Sequence, residues 1–110
     1  MMAFALNGKV WWVRIVPPTF PSLLLPTGDF TLGCCDNKAN TIYIADGLDD
    51  RTFKKVLCHE ITHAAMFSYN VILTLDQEEL LADIFSTYGN EIIMVTNKVF
   101  AKIKKDRYFN

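Results

Sequence analysis

The hydrophobic and polar positions of this chain change their spacing near residue 46. Before it, β-branched and aromatic residues form short runs between turn-forming residues, which predicts strands. The predicted strands cover residues 10–16, 30–35 and 41–45. A polar turn joins the last two, so we expect them to form a hairpin. Four prolines mark a loop between the first two, and its three leucines either cap the core or flank a substrate cleft. These are Leu23, Leu24 and Leu25.

After residue 50 the apolar positions recur at helical spacing. A first helix is predicted over about residues 51–69. Asp49 or Asp50 is placed to cap its start, and Asn70 is placed to end it. Because its apolar residues cover more than one face, this helix is expected to be largely buried.

A second helix is predicted to begin near residue 75. Thr74 and Gln77 have the spacing of a capping box, in which each side chain bonds the backbone N–H of the other. Apolar residues then continue at helical spacing to about residue 105, interrupted by Gly89. Gly89 either bends one long helix or separates two, and we favour one bent helix. The predicted fold class is therefore α+β.

Composition narrows the class of protein and its surroundings. The chain has 110 residues, about half of them hydrophobic, which suits a single domain over residues 1–110 with a small core. Its net charge of −1 offers no basic excess, so neither a nucleic-acid nor a membrane partner is expected. Three cysteines, two of them adjacent, are a poor disulfide framework. With no secretory signal recognised, a cytoplasmic location is expected.

The two histidines of the chain, His59 and His63, are four residues apart, and Glu60 follows the first. Positions i and i+4 share one face of a helix, so both imidazoles can bind one metal ion from the same side. Glu60 is then placed to act on the water that the metal activates. A catalytic zinc has three protein ligands and one open position. Since no third histidine exists and no cysteine is suitably placed, the third ligand must be a carboxylate.

Glu79 on the second helix is the predicted third ligand. From His63 the first helix rises about 9 Å to its end, and the second helix returns about 6 Å to residue 79. A short connection makes the two helices antiparallel, so Glu79 comes back nearly level with His63. We favour Glu79 over Glu78 because Glu79 lies four residues before Asp83, and we expect Glu78 and Asp76 to be solvated.

Asp83 is predicted to position a histidine. A metal-bound imidazole usually donates its second ring N–H to a carboxylate or carbonyl, which orients the ring. Asp83 lies one turn beyond Glu79, and His59 lies one turn before His63, so the two turns face each other in an antiparallel pair. Asp83 is therefore expected to accept a hydrogen bond from His59.

The two motifs, His-Glu-Ile-Thr-His at 59–63 and Glu-Leu-Leu-Ala-Asp at 79–83, together resemble the gluzincin group of zinc peptidases. In size the chain is more similar to the ImmA/IrrE-type peptidases of bacteria and mobile elements, which also begin with a short sheet. The resemblance covers roughly residues 40–90. It implies a minimal zincin-like fold, Zn²⁺ as the cofactor, His59, His63 and Glu79 as its ligands, and a supporting role for Asp83.

The resemblance also implies where a substrate binds. In zincins the strand before the active-site helix is the edge on which an extended peptide pairs, which here is Thr41, Ile42, Tyr43 and Ile44. The chain departs from the group in lacking a large second domain and a histidine to stabilise an oxyanion. Three tyrosines are candidates for that hydroxyl, although each is more typical of a core or interface position. They are Tyr43, Tyr69 and Tyr88.

The expected function is that of a zinc-dependent metallopeptidase with Glu60 as general base and a cytoplasmic protein or peptide as substrate. The alternative is a metal-binding but non-catalytic regulatory or inhibitory module from a phage or other mobile element, because so small a core leaves little room for a cleft. A third interpretation is a structural zinc site closed by four ligands.

Overall fold

The structure is a computed structural model, in which the backbone is described for residues 2–109 and the side chains for residues 2–106. Four strands come first: β1 (Met2–Leu6), β2 (Lys9–Val16), β3 (Gly33–Asp36) and β4 (Thr41–Ala45). A short 3-10 helix, Pro21–Leu23, lies in the loop between β2 and β3. Two helices follow, α1 (Asp50–Ser68) and α2 (Leu75–Phe109). The α+β prediction is confirmed, with a four-stranded mixed sheet and two C-terminal helices.

The sheet has the strand order β1-β2-β4-β3, in which β2 and β4 are parallel and the other two pairs are antiparallel. The hairpin of β3 and β4 is confirmed. Because β4 is hydrogen-bonded on both sides, it offers no free backbone edge to a peptide. The prediction that Thr41, Ile42, Tyr43 and Ile44 form a substrate edge is therefore wrong. The free edges belong to β1 and β3.

Strand β1 was not predicted, so the sheet has four strands instead of about three. Asn7 and Gly8 connect β1 to β2 with φ angles of 51° and 74°. Positive φ at both central residues is the hallmark of a type I′ hairpin turn, and Asn-Gly is its preferred sequence. That dipeptide between two apolar runs was the signal for the missing strand. At the other edge, β3 begins at Gly33 instead of residue 30, and Phe30 forms only an isolated bridge with Leu24.

Alternate residues of the sheet pack on its two faces. Trp11, Ile42 and Ile44 are fully buried together with Ala64 of α1. The indole N–H of Trp11 donates a buried hydrogen bond of 2.8 Å to the hydroxyl of Ser68. Tyr43 belongs to a separate cluster, in which Leu23 of the proline-rich loop is buried against the sheet. The sheet is thus covered by α1 on one face and by the loop on the other.

The ends of α1 follow the sequence signals. The Asp49 carboxylate accepts a hydrogen bond of 2.7 Å from the Thr52 N–H, which satisfies one of the free donors of the first turn. At the other end Asn70 takes a left-handed φ of 53°. The Val71 N–H then reaches back to the Met66 carbonyl at 3.0 Å, which is a Schellman ending. Both predicted helix ends are confirmed.

Helix α2 begins with the predicted capping box. The Thr74 N–H donates to the Gln77 side chain at 3.0 Å, and the Gln77 N–H donates to the Thr74 hydroxyl at 3.2 Å. The helix then continues through Gly89 without a break, so the single-helix interpretation is confirmed. Within the described residues, none of the helices combines the length and apolarity needed to cross a membrane.

Candidate metal centre

A cleft of about 1060 Å³ lies between α1, α2 and the sheet edge, and we call it the main cleft. Helix α1 contributes His59, Glu60 and His63 to it. Strand β3 lines the opposite side, together with Leu24 and Leu25 of the proline-rich loop. The core interpretation is confirmed for Leu23, which is buried, while Leu24 and Leu25 line the main cleft.

The structure brings His59, His63 and Glu79 together, and these three could hold a metal ion. The Nε2 atoms of the two imidazoles are 3.2 Å apart. One carboxylate oxygen of Glu79 lies 3.2 Å from Nε2 of His59, and the other lies 2.8 Å from Nε2 of His63. All three side chains therefore direct a potential ligand atom at one small space.

The spacing of the two imidazoles is compatible with one small ion. Ligands bound at about 2.0–2.1 Å to a tetrahedral zinc are separated from one another by roughly 3.3 Å. The two Nε2 atoms, 3.2 Å apart, are close to that value. The two Glu79 distances involve different carboxylate oxygens, so they place the carboxylate beside both rings without defining one triangle of ligand atoms.

The second ring nitrogen of each histidine meets a carboxylate. Nδ1 of His59 lies 3.1 Å from Asp83, as the sequence predicted, and Nδ1 of His63 lies 2.6 Å from Glu78. An ionised carboxylate can only accept, so the tautomer that satisfies these two contacts carries its proton on Nδ1 and leaves a lone pair on Nε2. In that tautomer two lone pairs and the Glu79 carboxylate would converge on the same space, and a cation there would relieve their mutual repulsion.

Glu78 also belongs to the candidate metal centre, which the sequence pattern did not predict. It was expected to be solvated like Asp76, but its side chain is only 14% exposed because it contacts His63. Asp76 is exposed as predicted. The sequence did contain a signal for this contact. A second histidine ligand also requires an acceptor for its outer N–H, and an acceptor had been predicted only for His59.

Glu60 is buried beside the two histidines. Its burial raises the pKa of the carboxyl group, and the nearby Glu79 raises it further, while His59 and His63 act in the opposite direction. A carboxylate with a raised pKa accepts a proton more readily at neutral pH, which is the property that a general base requires.

Gly33 brings the free edge of the sheet directly against Glu60. A Cβ atom on Gly33 would come within 2.6 Å of Val56 Cγ1 and 3.0 Å of Glu60 Cγ. A side chain at this position would force Val56 or Glu60 to shift, so the absence of a Cβ atom lets β3 pass close beside Glu60.

Cys34 and Cys35 also line the main cleft. Burial raises the pKa of both thiols, and the charge of Glu60 raises it further. Among the described residues, the group that could hold a metal ion consists of His59, His63 and Glu79 and includes no thiol.

The three tyrosines do not reach the main cleft. Tyr43 packs in the cluster on the far side of the sheet, which contradicts a role at the oxyanion. Tyr69 and Tyr88 are 55% and 56% exposed, and neither lines the cleft. The structure thus places none of the three predicted hydroxyl groups beside Glu60.

No protein-family model matches the chain. No curated protein and no solved structure matches it either. The case for a function therefore depends on the chemistry of the main cleft itself.

Proposed function

We propose that this protein is a zinc-dependent metallopeptidase that hydrolyses a peptide bond in a cytoplasmic protein substrate. The observation that carries the proposal is the convergence of Nε2 of His59, Nε2 of His63 and the Glu79 carboxylate at 2.8–3.2 Å. Glu60 lines the same cleft as these three residues, and the cleft leaves space for a substrate. The volume of about 1060 Å³ removes the main reason for favouring a non-catalytic module, which was the expected lack of a cleft.

Zinc is the cation that best suits the donor set. Two imidazoles and one carboxylate are a known ligand combination for catalytic zinc, which keeps a fourth position open. Purely oxygen-based sites favour magnesium or calcium, so the imidazole pair argues against these ions. Glu78 and Asp83 complete the arrangement, because they hold both rings with Nε2 directed at the ion.

In the proposed reaction the residues of the chain position the substrate and move a proton. His59, His63 and Glu79 would hold the zinc, which would supply a Lewis acid that lowers the pKa of water to about 7. Glu60 accepts a proton from the attacking water as the new C–O bond forms. The same carboxyl group then delivers the proton to the amide nitrogen as the C–N bond breaks, so that a free carboxylic acid and a free amine leave.

The substrate strand is proposed to add to β3 instead of β4. Strand β3 is a free edge of the sheet and lines the main cleft, whereas β4 is paired on both sides. An extended peptide can therefore form backbone hydrogen bonds with β3 and continue the sheet. The contact of Gly33 with Glu60 would keep that peptide beside the base. The proposed zincin-like fold is supported by this arrangement, in which a free strand edge lies beside the two helices that carry the candidate metal ligands.

The decisive experiment separates metal binding from catalysis. Zinc-loaded protein is incubated with a peptide library, and new termini are identified by mass spectrometry. We expect Glu60→Gln to retain zinc and to lower the cleavage rate by about 10²–10⁴-fold, because the proton acceptor is lost. Glu91→Gln is the matched control, since Glu91 is exposed on α2 away from the cleft. Undiminished cleavage by Glu60→Gln would overturn the mechanism.

A further inference from the structure

We infer that the substrate is anchored by an acidic residue, which binds to Arg51, Lys54 and Lys55 at the start of α1. The inference rests on the proposed function because it assigns a substrate class to the same cleft. These three side chains lie in the first two turns of α1. They line a second cavity of about 470 Å³ between α1 and the middle of α2, which we call the basic cavity.

The basic cavity adjoins the main cleft. Arg51, Lys55 and Ser86 line both of them, so an extended ligand could contact residues of both. Ser86, Thr87 and Asn90 add polar groups on the α2 side. A carboxylate in this space would meet two or three cations and neutral hydrogen-bonding side chains.

The charges along this groove are segregated. Glu60, Glu78, Glu79 and Asp83 lie at the metal end, whereas no carboxylate lines the basic cavity in the described part of the chain. Among described residues, none of the three cations forms an ion pair. The nearby Asp49 carboxylate accepts a hydrogen bond from the Thr52 N–H and has a weaker Coulombic attraction to Arg51. The three cations still leave the basic cavity with net positive charge, which favours an acidic ligand over a basic one.

The spacing along α1 predicts where the acidic residue lies relative to the bond that is cleaved. Arg51, Lys55 and His59 follow one another at intervals of four residues and share a helix face. Lys55 is about 6 Å and Arg51 about 12 Å from His59 along the axis. An extended peptide advances about 3.3 Å per residue, so these distances correspond to about two and four residues. The acid is expected on one side of the cleaved bond only.

The test measures binding and cleavage separately with defined probes. Fluorescein-labelled decapeptides carry one Glu, moved stepwise through positions from four before to four after a central hydrophobic pair, and matched peptides carry Gln. Fluorescence anisotropy with zinc-loaded protein gives the dissociation constants. We expect the best Glu peptide to bind roughly 5–20-fold more tightly than its Gln match, with the preference shrinking as salt is added.

The variant Arg51→Gln/Lys55→Gln should abolish this preference. Both side chains are exposed, so folding is expected to survive, which a thermal melt checks. Lys98→Gln/Lys102→Gln removes the same charge from α2 outside the groove and should leave the preference intact. Equal binding of Glu and Gln peptides, absence of binding by either, or equal losses in the two double variants would overturn the inference.

Cleavage distinguishes a failure of this inference from a failure of the proposed function. A Glu preference that persists without any cleavage supports the basic cavity as a binding site and contradicts the peptidase. Cleavage without a Glu preference overturns the basic cavity and leaves the peptidase in place.

Discussion

The two halves of α2 share one continuous helix but have different surroundings. The first half, residues 75–86, carries the carboxylates that meet the histidines of α1, and its Ala82 is fully buried. The second half, residues 90–106, is exposed at every position. Its apolar residues, which have regular helical spacing, are each about half exposed: Ile92, Val95, Val99 and Ile103.

This contrast shows that a regular apolar pattern does not by itself specify burial. Periodicity predicts that a helix forms and which side chains share a face, but burial also requires a neighbouring element. In the first half the neighbour is α1, and the contact is largely polar because Glu78, Glu79 and Asp83 bind histidines. We therefore expect substitutions in the first half to have large effects and matched substitutions in the second half to have small ones.

The largest effect is expected from Glu79→Gln. It replaces a charged ligand with a neutral amide. Loss of a residue that only orients a ligand lowers metal affinity by about 10–100-fold. Loss of a ligand itself should cost more, so we expect the affinity for zinc to fall by more than about 100-fold. Competition with a chromophoric chelator measures the change. Glu91→Gln is the same substitution in the second half and should bind zinc like the original protein. Unchanged affinity in Glu79→Gln would remove this residue from the site.

Zinc itself should stabilise the first half of α2 selectively. A ligand that binds only the folded state at 100 times its dissociation constant adds about 2.7 kcal/mol to the free energy of unfolding. Hydrogen exchange should show slower exchange in α1 and residues 75–86 when zinc is added, with little change in residues 90–106. Uniform protection along α2 would contradict the division of the helix into two halves.

Loss of either carboxylate that orients a histidine should weaken zinc binding moderately. Glu78→Gln and Asp83→Asn each remove a charged acceptor from an Nδ1–H group, and we expect a 10–100-fold loss of affinity, or about 1.4–2.7 kcal/mol. Isothermal titration calorimetry is the measurement. Asp76→Asn, at an exposed position of the same half, is the control. If Glu78→Gln behaved like that control, its contact with His63 would have no role in binding.

Packing between the helices is tested by Ala82→Leu in the metal-free protein. Ala82 is fully buried, so added volume should destabilise the fold by about 1–3 kcal/mol, measured by urea denaturation. Ala101→Leu introduces the same side chain at an exposed position and should change stability by no more than about 0.5 kcal/mol. Equal effects at the two positions would show that the second half is packed as tightly as the first.

The smallest effect is expected from Val99→Ser and Ile103→Ser. Both side chains are about half exposed, so each substitution should change the free energy of unfolding by about 0.5 kcal/mol or less. Denaturation at two protein concentrations is the appropriate measurement. If the free energy of unfolding fell by more than about 1 kcal/mol, and the fall depended on protein concentration, this face would be covered by another copy of the chain in solution.

Much of the candidate site was predictable because its parts are close in the sequence. The i and i+4 spacing of His59 and His63 requires only a helix, and the short connection to α2 determines the level at which Glu79 returns. Glu78 was missed because its burial depends on the rotation of α2 about its own axis. Consecutive helix residues point about 100° apart, yet Glu78 and Glu79 both contact histidines of α1, which only one rotation of α2 allows.

The sheet was less predictable, although one of its signals was local. Strand β1 could have been found from the Asn7-Gly8 turn. The order β1-β2-β4-β3 could not, because β2 and β4 pair in parallel across an intervening loop and strand. The identity of the free edge follows from that order, and so does the face on which Tyr43 lies.

The amino-acid sequence by itself determined the two helices, their caps, the hairpin of β3 and β4, and the residues that carry the candidate chemistry. These features depend on backbone preferences and on side chains within one or two turns of each other. Only the tertiary structure decided which strand is the free edge, which carboxylate meets His63 and which half of α2 is covered. Each of these depends on contacts between residues far apart in the chain, whose geometry is set by the packing of whole elements.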